Sequence, residues 1–179
     1  TRAGYVFKGW NTKKDGTGTT ITQNSTVEKN LTVYANWKGE FTLTYNSNGG
    51  STCNPGTVTK ESGEAWGTLC APTKTGYTFA GWKNGTTTVT KDSKATGNIT
   101  VTAEWTTNSY TLTYNSNGGT TCSPTTVTKS YGSTWGTLCT PTRSGYKFSA
   151  WKDGTTTVTS STTVTGNRTV TAEWTGASY

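Results

Sequence analysis

Short stretches of this chain alternate apolar and polar residues, the period-2 pattern of a half-buried strand. Phe41, Leu43 and Tyr45 alternate with Thr42 and Thr44 and run into an Asn48-Gly49 turn. Tyr77 and Phe79 flank Thr78 in a second predicted strand, and Val101, Ala103 and Trp105 alternate with Thr102 and Glu104 in a third. Between these two, Thr86 to Thr90 follow an Asn84-Gly85 turn and predict one more short strand. Trp82 falls on the opposite parity from Tyr77 and Phe79, which predicts a bulge near Gly81. Ala150 stands at the matching place further on, so that bulge does not demand a positive φ. The stretch Glu61 to Leu69 shows no clear period and predicts at most one helical turn. No apolar run approaches the roughly 18 residues of a membrane span, so no membrane insertion is expected of this segment.

The same pattern returns down the chain. Tyr45-Asn46-Ser47-Asn48-Gly49-Gly50 recurs as Tyr114-Asn115-Ser116-Asn117-Gly118-Gly119. Cys53, Trp66, Cys70, Gly76, Trp82 and Trp105 recur as Cys122, Trp135, Cys139, Gly145, Trp151 and Trp174, each 69 positions on and without a gap. Gly4 to Trp10 and Val33 to Trp37 match the second half of that unit, with four extra residues around Lys13 to Gly16. A fixed period of this length is the mark of a repeat protein. The expected organisation is the C-terminal half of a repeat over 1–38, full repeats over 39–107 and 108–176, and the start of a further one over 177–179. Together these predict a mainly β fold of tandem 69-residue units in an elongated array.

Pro72-Thr73-Lys74-Thr75-Gly76-Tyr77-Thr78-Phe79-Ala80-Gly81-Trp82, the Gly-Gly turn and the closing Thr100-Val101-Thr102-Ala103-Glu104-Trp105 carry a resemblance. They are similar to the Listeria–Bacteroides repeat, the B-repeat of internalin-type surface proteins. The resemblance covers nearly the whole chain. It implies a small β-grasp-like unit, and a place in long modular bacterial surface proteins that act as adhesins or spacers. Two cysteines per unit set this chain apart from the commoner pattern.

Composition sharpens the picture. Only 29% of the 179 residues are hydrophobic, yet there are 8 Trp, 9 Tyr and 4 Phe, unlike a disordered chain. Large rings set among Thr, Ser, Asn and Gly favour several small cores over one large one. The net charge of +7 fits an anionic partner, such as a host or cell-wall glycan, or a solubilising surface. Apart from Lys13-Lys14 the cations are scattered, which favours solubility, and no nucleic-acid motif accompanies them.

The chemistry is sparse. Cysteines come one pair per full unit, Cys53 with Cys70 and Cys122 with Cys139, and small extracellular domains often compensate for a thin core with disulfides. A structural zinc and a nucleophilic thiol compete with that reading, but with no histidine in the chain neither has its usual partners. Disulfides imply an oxidising compartment, and the resemblance implies an extracellular place at the cell surface. No catalytic set, metal site or cofactor is expected; Glu104 and Glu173 occupy the outward parity of a strand. Trp37, Trp105 and Trp174 share parity with Val and Ala and are expected in the core. Trp66 and Trp135 lie in the irregular segment and are candidates for stacking on a glycan. Asn-x-Thr triplets at Asn30, Asn84, Asn98 and Asn167, with Asn24-Ser25-Thr26, arise readily in so Thr-rich a chain. The function read from these residues is a non-catalytic stalk, spacer or adhesin module, with a glycan- or anionic-polymer-binding module as the alternative. Its partners are neighbouring repeats, and the half-repeat also admits strand addition from an identical molecule.

Overall fold

Thr on one face of a pleat and Val, Trp, Tyr and Leu on the other favour strands, and every regular element among the described residues is a strand. The computed structural model describes residues 1–177; Ser178 and Tyr179, expected to open a further repeat, lie outside the described residues. The strands are β1 (Tyr5–Asn11), β2 (Thr20–Ile21), β3 (Tyr34–Asn46), β4 (Thr57–Glu61), β5 (Tyr77–Asn84), β6 (Thr87–Val89), β7 (Ile99–Thr107), β8 (Ser109–Asn115), β9 (Thr126–Ser130), β10 (Tyr146–Asp153), β11 (Thr156–Val158) and β12 (Arg168–Gly176). No helix occurs among the described residues. The turn of helix expected over Glu61 to Leu69 does not form. Ala65 instead bridges to Lys94, and the Trp66 amide donates to the Ser93 carbonyl.

Two compact units are distinguished, and each is described by itself. Unit one comprises Thr1–Thr73 and Phe79–Glu104; unit two comprises Lys74–Thr78 and Trp105–Tyr179. The first sheet has the order β2-β1-β3-β7-β5-β6, with β4 also on β3. The second has the order β11-β10-β12-β8-β9. Within it β12 and β8 run parallel, Arg168 opposite Leu112 and Val170 opposite Tyr114, while the other pairings are antiparallel. The opening and closing strands of a repeat are therefore neighbours at the centre of the sheet, an order compatible with a β-grasp-like unit.

Local chemistry fixes this register. Asn117 and Gly118 both take positive φ, 46° and 84°, as a tight turn requires and as Asn and Gly tolerate best. Asn117 Nδ2 then reaches the Ala172 carbonyl on the closing strand at 3.1 Å. At the other end, Asn167 Oδ1 accepts the Thr111 amide at 2.9 Å. Asn48 and Asn98 make the same two bonds in unit one. Two of the Asn-x-Thr triplets thus begin with an asparagine whose side chain is part of the strand pairing. The bulge predicted from parity appears in β10 between Phe148 and Ala150 and in β1 between Phe7 and Gly9.

The core of unit two is made of Leu112, Tyr114, Cys122, Trp135, Trp151, Val158, Val164, Val170 and Ala172, with Phe148 and Trp174 packed against it. Leu43, Cys53, Trp66, Trp82, Val89, Ala95, Val101 and Ala103 are buried at the equivalent places of unit one.

Candidate functional site

Cys53 is bonded to Cys70 and Cys122 to Cys139, each across 17 positions. The second cysteine of each pair is held by its backbone as well as its sulfur. The Cys70 amide donates to Tyr45 Oη at 3.2 Å, and Trp82 Nε1 donates to the Cys70 carbonyl at 2.8 Å. Tyr114 and Trp151 repeat these bonds on Cys139 at 3.3 and 2.8 Å. The two clamping rings pack on one another with centroids 4.8 Å apart in both units. Period-2 alternation places Tyr45 inward on its strand, and Trp82, buried on β5, meets it. With both sulfurs in a bridge there is no thiolate here to bind metal or attack a substrate.

Trp66 and Trp135 do not form a surface site. They retain 2% and 1% of their exposure, so neither face can receive a sugar. The irregular segment folds across the sheet and carries the ring inward. The Trp135 amide donates to the Thr162 carbonyl, and Thr134 bridges to Thr163. Among the described residues, Trp135 Nε1 is buried without a hydrogen-bond partner.

The acids are dispersed. Glu104 lies 3.9 Å from Lys83 with its side chain 56% exposed. Glu61 receives a 2.7 Å hydrogen bond from Lys8, with Lys38 at 3.6 Å, and the Lys8 bond holds its carboxyl below the usual range. Asp15 is lowered by the Thr17 amide and hydroxyl. Among the described residues no three metal-ligating side chains come together.

What the surface does offer is aromatic and basic. In unit two, a groove of about 490 Å³ is lined by Arg143, Tyr146, Lys152, Glu173 and Trp174, among others. The Arg143 guanidinium sits over the Tyr146 ring at 4.1 Å and donates to the Asn117 carbonyl at 3.3 Å. Trp174 Nε1 is anchored on the Ser116 carbonyl at 3.1 Å. Reading the sequence did not single these residues out. The signal was there, however: a cation precedes the repeated tyrosine by three positions as Arg2, Lys74 and Arg143. Near residue 1, Tyr5, Phe7 and Trp10 remain 42, 44 and 47% exposed. Trp151, the counterpart of Trp10, is 2% exposed because it clusters with Tyr114 and Trp135, which have no counterpart in 1–38.

A family model described as the Listeria-Bacteroides repeat domain matches residues 1–36, 41–104 and 110–173. The chain is 33% identical over 156 residues to a protein of Evansella cellulosilytica described as a Gly-rich membrane protein; the match covers 83% of this chain and 18% of that protein. It is 30% identical over 129 residues to another protein of that organism described as a membrane protein, with 66% of this chain and 18% of the relative covered. Over 115 residues it is 35% identical to internalin H of Listeria monocytogenes, covering 60% of this chain and 20% of internalin H. The chain therefore spans about one fifth of the length of these relatives.

Proposed function

We propose a structural role for this chain, which belongs to the Listeria–Bacteroides repeat family: it is an extracellular, non-catalytic spacer that holds a neighbouring part of a surface protein away from the cell. One observation carries this reading. The residues that form the core of unit two, from Leu112 to Ala172, all fall within one 69-residue period, so a repeat encloses its core with its own residues. Modules of that kind can be strung in series, and their number sets a length. The disulfides suit an oxidising exterior, where a thin core needs a covalent supplement. The relatives' descriptions, as membrane proteins and an internalin, support a place at the surface.

The test is a display series. The 179-residue chain is inserted zero, one or two times between a wall anchor and a peptide tag on a bacterial surface. Access of a tag-specific antibody should rise with each insertion. Access that does not change with copy number, while surface expression is equal, would count against a spacer.

A further inference from the structure

We infer that the groove beside Tyr146 is a binding site for a saccharide bearing a carboxylate, with Arg143 for the anion and the Tyr146 and Trp174 rings for the sugar. Tyr146 and Trp174 both line the groove, and Trp174 Nε1 is anchored on the Ser116 carbonyl at 3.1 Å. A sugar presents a flat C–H face and a rim of hydroxyls, so its receptor needs an aromatic surface with donors and acceptors at the edge. The groove supplies both: two rings, the Arg143 and Lys152 cations, and the Glu173 carboxylate as acceptor.

Charge and preorganisation narrow the ligand. Arg143 is stacked on Tyr146 at 4.1 Å and tied to the Asn117 carbonyl at 3.3 Å, so its fork is held in place before anything binds. A planar guanidinium matches a carboxylate in two-point geometry, and a fixed one loses less freedom on binding. Glu173 in the same groove disfavours a doubly charged anion and leaves a singly charged sugar acid as the better fit. Lys152 donates to Thr157 Oγ1 at 2.7 Å and lends the groove its second positive charge.

The arrangement is repeated, which suits a polymer. Arg2 lies 3.8 Å over Tyr5, and Lys74 lies 4.6 Å over Tyr77 with Trp105 at 5.8 Å. Lys83, Glu104 and Trp105 occupy the places of Lys152, Glu173 and Trp174 one period earlier, whereas Asn11 and Asn36 replace the lysine and the acid in 1–38.

The experiment measures binding of the 179-residue chain to three immobilised probes at physiological ionic strength. Polygalacturonate has sugar rings and carboxylates, galactan has rings alone, and poly-L-glutamate has carboxylates alone. Polygalacturonate should bind, galactan should not, and poly-L-glutamate should bind at least about tenfold more weakly. Arg143→Gln and Tyr146→Leu, each checked for an unchanged melting temperature, should weaken polygalacturonate binding about fivefold. The inference is overturned if polygalacturonate does not bind, if either control polymer binds as tightly as polygalacturonate, or if both variants bind as tightly as the wild type. None of these results bears on the display series, since the spacer reading needs no ligand.

Discussion

Reduction of the two disulfides should lower the stability of each full repeat by about 3 kcal/mol while leaving its native structure in place. The figure follows from the 17-position separation of each pair and the closure entropy that a bridge of that span removes from the unfolded chain. For a domain near 70 residues it corresponds to a fall in melting temperature of roughly 12–24 °C. The native geometry should survive, because Cys139 is also held through its backbone by Tyr114 and Trp151. The perturbation is a non-thiol reductant, with Cys122→Ala/Cys139→Ala as the genetic version confined to one repeat. Cys122 is 3% exposed, so the alanine pair also loses packed sulfur and should lie slightly below the reduced wild type. The assay is urea unfolding followed by tryptophan fluorescence, with amide spectra before denaturant as the check on structure. Coincident oxidised and reduced midpoints would refute the reasoning. So would a reduced chain whose native amide spectrum had already collapsed in buffer.

Other consequences follow from the same geometry. A methyl at Gly76 would run into the Tyr131 ring, whereas at Gly145, with a similar positive φ, it would meet nothing within 4 Å among the described residues. Gly76→Ala should therefore destabilise by about 1–3 kcal/mol more than Gly145→Ala in thermal unfolding, the excess being the clash. Leu112 is fully buried at the centre of the second sheet, and Leu112→Ala should cost about 2–5 kcal/mol by urea titration. Glu61 has its carboxyl lowered by Lys8, so its contribution is present at neutral pH and lost as acid protonates it below the ordinary glutamate range. Glu61→Gln should flatten that acid limb of the stability profile, and added salt should do the same.

The strands that alternate cleanly were legible in the sequence because burial on one face is written at period 2. Leu43 with Tyr45, and Val101 with Ala103, needed no further information. The parallel pairing of β8 with β12 was not legible, since it joins residues 56 positions apart and rests on Asn167 reaching the Thr111 amide. Asn98 and Asn167 read as compositional chance and proved to be structural for the same reason. Trp66 and Trp135, candidates for a glycan-stacking surface, are buried, and an aperiodic segment carries no record of which way a ring points. Only the contacts with Ser93 and Thr162 decide it. The cation three residues before each tyrosine was visible all along, but alternation draws the eye to what is buried, and this pair is exposed.

Pulling the chain from its ends in a force microscope tests the serial, sulfur-bridged architecture most directly. The two full repeats should give separate unfolding events, and reduction should lengthen each by about 60 Å, the extension of the 17 residues that a bridge keeps out of reach. A single event releasing both repeats, or events whose length does not respond to reductant, would contradict it.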